Sequence, residues 1–430
     1  MSIVLDAKRS LKAQMEAAMA DEGARRATYE AQAAYELRLR ARAQAPEAWD
    51  TLRENAVTIR KAVLEDWETQ LAKFEENATA QGARVYRVAD AEAARAVVCT
   101  ICQETEATRV LYRPSLLGEE MDAAKALRDA GVAIKRGTPS EVMLQWEDRG
   151  PEAAEGRDDE AASLSLSGCQ FAVVKSGTAI GLAPAPEEEN AVTARVVLVG
   201  AEALVTDEEA AKSLLATVAD ALPWGYVRAG EAALHLVLID NGRKRHCNGT
   251  YRAMLRCVRC GACLQVCPVY RHLTGRGYGS CYTGPMGLVW TPLLEGYTPH
   301  TKAMTELCTL CGACEDQCPV EIPLRALIMA ARRDIAETPR LHSLHERLAY
   351  RVCGTVMAHP RLYGMMTDVA NPILRGTARL TMEDDHLGDN VKLPLLRYWT
   401  DARNLPLLRH REFRRWYEWS RQKTAKSACD

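Results

Sequence analysis

Residues 257–268 read Cys257-Val258-Arg259-Cys260-Gly261-Ala262-Cys263-Leu264-Gln265-Val266-Cys267-Pro268, a C-x2-C-x2-C-x3-C-P run, and Cys308, Cys311, Cys314, Cys318 and Pro319 repeat its spacing. A cubane iron-sulfur cluster offers iron corners to four thiolates, three from one tight loop and the fourth from elsewhere. In two-cluster ferredoxins the fourth thiolate of each run serves the other cluster. The spacing therefore assigns Cys257, Cys260, Cys263 and Cys318 to one [4Fe-4S] cluster, and Cys308, Cys311, Cys314 and Cys267 to a second. Structural zinc is the competing reading, but it uses paired C-x2-C knuckles, not triple runs closed by Cys-Pro. Helix-like sequence such as Leu324-Arg325-Ala326-Leu327-Ile328-Met329 follows the second run. The module is expected to be an α-helical dicluster ferredoxin domain, residues 246–340, with an inserted loop between the runs.

Upstream, residues 83–245 alternate β-branched runs with helical stretches. Strands are expected over 83–88, 108–112, 132–135, 171–174, 195–199 and 234–239, the rhythm of an α/β fold with a parallel sheet. Thr138-Pro139-Ser140-Glu141 and Thr206-Asp207-Glu208-Glu209 read as capped helix starts. The acidic stretch 147–160 reads as an exposed loop. Residues 1–82 are rich in Ala, Glu, Arg and Gln and predict two long helices divided at Pro46. The second carries an apolar stripe, Ala56, Ile59, Val63, Trp67, Leu71 and Phe74. The plainer reading packs these helices on their own domain; the other, an arm laid across a partner subunit, fits the first helix better because it is more polar.

The chain has 430 residues, enough for two or three domains, and a formal charge of −2 from 55 Lys+Arg and 57 Asp+Glu. That balance argues against nucleic acid as a partner. Fifteen cysteines, odd in number and bunched, point to metal or redox chemistry in a reducing compartment. Asp6, Lys8 and Arg9 stand where a signal peptide would be apolar, and no run approaches about eighteen apolar residues, so a cytoplasmic location is expected. Gly275-Arg276-Gly277-Tyr278-Gly279 lacks the spacing of a dinucleotide fingerprint, and there is no P-loop.

Weaker signals remain. Cys99 and Cys102 form a lone C-x-x-C on an Ala-rich helix, and Cys169, Cys247, Cys281, Cys353 and Cys429 are single; all seven read as spectators. His342 and His345 lack a third ligand and read as surface residues. Lys175-Ser176-Gly177-Thr178 places an ammonium and hydroxyls at a glycine turn, which would suit a carboxylate or phosphate, against the plainer reading of a strand turn. Asn241 and Arg243 are further substrate-site candidates. The segment 341–430 is expected to be helical and to end in a basic aromatic tail, 398–426, suited to docking on a protein and, as a weaker option, to peripheral membrane contact.

The chain resembles the lactate utilisation protein B family, the iron-sulfur subunits of a bacterial three-protein L-lactate oxidation system. Carrying the resemblance are Tyr251 to Cys263, Cys267-Pro268-Val269-Tyr270-Arg271-His272, Tyr278-Gly279-Ser280, Gly284-Pro285, Thr291-Pro292-Leu293-Leu294, Asp240-Asn241-Gly242-Arg243, Trp399-Thr400-Asp401-Ala402-Arg403 and Phe413-Arg414-Arg415-Trp416. It implies that the sheet domain is a lactate-utilisation domain, similar in fold to the sugar-phosphate isomerase and CoA-transferase class. It also implies partners: a subunit with heterodisulfide-reductase-type Cys-Cys-Gly repeats, absent here, and a second lactate-utilisation-domain subunit. Lys175 stands where the family usually has an acid, and Leu111 to Gly118 replaces a Lys-Ser-rich segment. The alternative is an electron wire in another heterodisulfide-reductase-like complex, with a non-catalytic sheet domain.

Overall fold

The structure is a computed structural model that describes residues 10–44, 46–141, 162–184, 192–218, 222–230, 232–341 and 344–378, with the pairs 382–383, 386–387, 416–417 and 419–420. The predicted acidic loop, 147–160, lies outside the described residues. Two compact units are present, Met1–Leu341 and His342–Asp430.

The first unit opens with four helices: α1 (Leu11–Ala20), α2 (Glu22–Ala43), α3 (Pro46–Glu65) and α4 (Trp67–Ala80). Pro46 stands at the start of α3, where its missing N–H costs nothing. Asp21 divides the expected first helix, because its Oδ1 accepts the Ala24 N–H at 3.0 Å and caps α2. The expected stripe of the second pair is buried at Ala56, Val63, Trp67, Leu71 and Phe74. The arm reading of the first pair is corrected: α1 and α2 pack on the cysteine-rich module of their own chain. Gln32 on α2 donates to the carbonyls of Leu264 (2.9 Å) and Cys267 (3.3 Å).

Among the described residues, ten strands follow in two sheets. Strands β1 (Arg84–Val88), β2 (Arg109–Tyr112), β3 (Ala133–Arg136), β4 (Leu164–Gly168), β7 (Ala194–Gly200) and β10 (Ala233–Ile239) form a parallel sheet in the order β1-β10-β7-β4-β2-β3. Strands β5 (Phe171–Val173), β6 (Thr178–Leu182), β8 (Leu204–Val205) and β9 (Trp224–Val227) form a smaller mixed sheet, β8-β5-β6-β9. The central strands β7 and β10 are covered on both faces, which is why Val196–Val199 and Leu236–Ile239 read as unbroken apolar runs. Val196 and Leu198 join the core beneath α5 (Ala91–Glu104) and α7 (Ala123–Asp129). Val197 and Val199 join a larger core that runs without a break through Phe74 and Leu204 into Met254, Leu255, Val258 and Leu327 of the cysteine-rich module.

Of the two capped starts, Asp207 caps α8 (Glu208–Val218) through the Ala210 N–H at 2.9 Å. No helix begins within 138–141; Ser140 and Glu141 are buried in a bend and serve long-range contacts instead. The cysteine-rich module carries α9 (Ala262–Gln265), α10 (Pro268–Leu273), α11 (Gly284–Glu295), α12 (Pro299–Glu306), α13 (Ala313–Asp316) and α14 (Leu324–Glu337). The expected inserted loop, 268–307, is thus largely helical. In the second unit α15 (Leu344–Ala358) and α16 (Pro360–Ala378) pack together, and β11 (Met382–Glu383) pairs antiparallel with β12 (His386–Leu387). No helix among the described residues is long and apolar enough to cross a membrane.

Arg60, on the buried face of α3, is fully enclosed. Its guanidinium donates to the carbonyls of Leu204 (2.6 Å), Glu202 (2.5 Å), Leu255 (2.8 Å) and Arg256 (3.2 Å), and so ties α3 to the sheet domain and to the cysteine-rich module at once. Burial lowers its pKa to about 10, with Glu202 opposing that shift, so the group stays charged at neutral pH. Arg60→Met leaves four buried carbonyls unmatched and should cost about 3 kcal/mol. Thermal unfolding of the variant should show an apparent Tm several degrees below the parent.

Candidate metal centres

The two cysteine runs fold alike. Arg259 and Leu310, two residues after the first cysteine of each run, are left-handed at φ 54° and 59°, and Gly261 and Gly312 follow at φ 72° and 87°. This double reversal turns the chain tightly enough for backbone N–H groups to face sulfur. The Arg259 N–H donates to Cys257 Sγ at 3.4 Å, and that of Leu310 to Cys308 Sγ at 3.3 Å. At the fourth cysteines, Tyr270 N–H reaches Cys267 Sγ at 3.5 Å and Ile322 N–H reaches Cys318 Sγ at 3.3 Å. Such bonds stabilise thiolate charge and tune a cluster's potential.

Each run contributes three thiols to one hollow and one to the other. Cys257, Cys260, Cys263 and Cys318 line the first, among Leu116, Met254, Met286 and Leu324. Cys267, Cys308, Cys311 and Cys314 line the second, with Tyr278 and Leu288. Burial pushes the Cys257 thiol up to about 11 and that of Cys314 to about 12, so these sulfurs become thiolates only when metal displaces their protons. Among the described residues no three His, Cys, Asp or Glu side chains converge on a single ion. Four thiols ringing an apolar hollow fit a cubane, whose irons stand apart at its corners.

A buried charge web joins the first hollow to the sheet. Arg259 pairs with Glu141 (Nη1 to Oε2, 3.0 Å) and donates through Nη2 to the carbonyls of Cys169 (2.9 Å) and Gln170 (3.0 Å). Gln170 answers by donating to the Val258 carbonyl at 2.6 Å. Burial raises the Glu141 carboxyl above the usual range, with Arg259 pulling the other way. Beside it Arg243 grips Glu120 with two bonds, at 2.7 and 2.9 Å, and pairs through Nε with Glu202; Tyr282 also donates to Glu120. Burial opposes the charge on Glu202, but Arg243 and Arg259 outweigh it and hold the carboxyl below its usual value.

The substrate-site candidates are placed differently from expectation. Arg243 is committed to Glu120 and Glu202, and Asn241 donates to Glu120 at 2.5 Å. Both belong to the web. Lys175 to Thr178 form the β5–β6 hairpin turn. Its amides serve the fold, Lys175 N–H to Thr206 O at 3.0 Å and Gly177 N–H to Val173 O at 2.9 Å, and Ser176 and Thr178 hydroxyls bond each other at 2.8 Å. Gly177 (φ 63°) lies against the Ala78 backbone, where a Cβ would collide. The Lys175 and Gly177 amides and both hydroxyls are thus engaged within the fold, while the Lys175 side chain is exposed.

Three family models match: the LUD domain over residues 71–248, the 4Fe-4S dicluster domain over 253–322, and the lactate utilisation protein B C-terminal region over 327–422. Lactate utilization protein B of Shouchella clausii is 32% identical over 435 residues, covering 88% of this chain and 89% of that protein. The chain belongs to the lactate utilisation protein B family. The Lysinibacillus sphaericus protein of the same name is 30% identical over 426 residues, covering 86% of this chain and 88% of its own. A crystal structure of a DUF162 family protein from Deinococcus radiodurans aligns with 41% of this chain and 99% of its own, at 17% identity and a TM-score of 0.30. Membership of the family fixes the α/β lactate-utilisation domain followed by an iron-sulfur module.

Of the remaining cysteines, burial pushes the thiols of Cys102 and Cys247 to about 11 and of Cys169 to about 12, and raises that of Cys99. Cys281 is buried and Cys353 exposed. Cys429, His342 and most of the tail, 398–426, lie outside the described residues; His345 is exposed on α15, and Trp416, Tyr417 and Trp419 are exposed. The web residues Arg60, Glu120, Glu141, Glu202 and Tyr282 escape sequence reading. Glu202 alone leaves a trace, as one acid inside the apolar run 196–205.

Two predictions follow from this geometry. Cys318→Ala should remove the cluster of the first hollow although it belongs to the second run: iron falls from about eight to about four per chain, and EPR retains one cluster signal. Thiol labelling of the native, cluster-loaded protein at pH 8 should modify Cys353 and spare Cys102 and Cys169, which are protonated at that pH and shielded.

Proposed function

We propose that this chain is the electron-transferring, iron-sulfur subunit of a multi-subunit cytoplasmic oxidoreductase that oxidises L-lactate to pyruvate. The observation that carries the reading is the pair of cross-connected four-thiol hollows within a member of the lactate utilisation protein B family. Two [4Fe-4S] clusters there supply one-electron carriers. Lactate oxidation releases two electrons and two protons, and two one-electron sites can hold that pair between donor and acceptor. The chain's own part is to bind each cluster with four thiolates, to direct backbone N–H groups at the sulfurs, and to exclude water from the first hollow with Leu116, Met254 and Leu324. The proposed partners are a Cys-Cys-Gly-repeat subunit of heterodisulfide-reductase type and a second lactate-utilisation-domain subunit.

One observation favours a narrower role for the sheet domain. Open α/β sheets bind ligands in the crevice outside the carboxyl ends of their strands. Here the segments that follow β2, β3, β4, β7 and β10 set Glu141 and Gln170 on Arg259, Glu120 and Arg243 on Tyr282, and Glu202 on Arg243. The domain then acts as a dock for the cluster module, and lactate is met on a partner. Under both readings, adding L-lactate to the anaerobic three-protein complex should bleach the clusters and produce reduced-cluster EPR signals. Clusters that respond to dithionite but never to lactate would exclude lactate as the electron source.

A further inference from the structure

The two cysteine loops share a backbone and differ in electrostatic setting. Arg259 and Leu310 occupy equivalent places, both left-handed and both donating an N–H to the first sulfur of their run. The Arg259 side chain is buried, anchored to Glu141 and to the carbonyls of Cys169 and Gln170; Leu310 carries no charge. Arg259 lines the first hollow, and the fully buried Arg60 donates to the Leu255 and Arg256 carbonyls just before Cys257. Around the second hollow the cations are less enclosed: the part-buried Arg332 donates to the Cys308 carbonyl at 2.7 Å. Glu315 acts on Cys314, and Arg325, a cation on the wall of that hollow, is 56% exposed and pairs with Glu315 at 3.5 Å.

Reduction adds one negative charge to a cluster. A fixed cation buried beside it favours the reduced form and raises its potential, whereas an exposed cation is screened by water and salt. We propose that Arg259 is a positioning residue that raises the reduction potential of the cluster held by Cys257, Cys260, Cys263 and Cys318, and leaves the other cluster untouched. The inference rests on the reading above that both clusters assemble. It also gives the web a use. Glu141, Cys169 and Gln170 follow the carboxyl ends of β3 and β4, so a displacement of those segments acts on the cluster through this one guanidinium.

The test is an EPR-monitored redox titration of the full chain, purified anaerobically, as parent, Arg259→Gln and Arg259→Lys, with iron counted in each. Glutamine removes the charge and keeps a polar side chain, though its amide stops two bonds short of the Cys169 and Gln170 carbonyls; lysine keeps the charge without the fork. Arg259→Gln should lower the reduced-to-oxidised ratio of the first cluster, at fixed ambient potential, by about tenfold, about 59 mV for a one-electron couple. Arg259→Lys should stay near the parent, and the second cluster should not move in either. An unshifted first cluster in Arg259→Gln, an equal fall in both variants, or loss of iron from both would overturn the assignment. A parent chain with one cluster or none would instead defeat the electron-relay reading.

Discussion

Three guanidinium groups, those of Arg60, Arg243 and Arg259, are buried where the N-terminal helices, the sheet and the first cluster loop meet. A charge removed from water costs several kcal/mol unless it is paired and hydrogen-bonded, so each group dictates what surrounds it. Arg60 uses four backbone carbonyls, Arg243 two carboxylates and a tyrosine, and Arg259 one carboxylate and two carbonyls. The partners come from separate parts of the chain, and satisfying them sets how the pieces fit. The Tyr282 ring stands edge-on to Trp290, whose face carries the Arg243 guanidinium at 5.5 Å, so the web is closed by aromatic cover.

That constraint explains why the sheet domain and the cysteine-rich module share one core although distinct family models describe them. Apolar residues on one face of the parallel sheet continue into Met254, Leu255 and Val258 at the threshold of the first cysteine run. The cluster loop is therefore supported by strands and by α3. The second loop depends on other support, through Arg332, which donates to the Thr305 and Cys308 carbonyls, and Gln32, which reaches the Cys267 carbonyl.

What could be read from the chain divides along the range of the forces involved. The cysteine runs are legible because cluster binding fixes thiol spacing within a dozen residues, and the repeat says it twice. Strands β7 and β10 are legible because burial on both faces demands an apolar run. The charge web is not: Arg243 meets Glu202 and Glu120 across 41 and 123 positions. Thr138-Pro139-Ser140-Glu141 shows the hazard of local reading. Its spacing suits a capping box, yet Ser140 accepts the Gly168 N–H at 2.9 Å and Glu141 holds Arg259, because buried tertiary partners outweigh a surface cap. Lys175 to Thr178 show the converse, a polar turn suggestive of a ligand in which two amides and both hydroxyls serve the hairpin.

The proposed function requires two cubanes, each held by three thiolates of one run and the last of the other, in the two hollows that those thiols line. Diffraction from crystals of the anaerobically loaded protein, recorded on both sides of the iron absorption edge, tests this most directly. The account predicts two separate iron peaks, one inside the ring of Cys257, Cys260, Cys263 and Cys318, the other inside that of Cys308, Cys311, Cys314 and Cys267. A single iron site, clusters bound by the four cysteines of one run, or an anomalous signal that appears only at the zinc edge would contradict it.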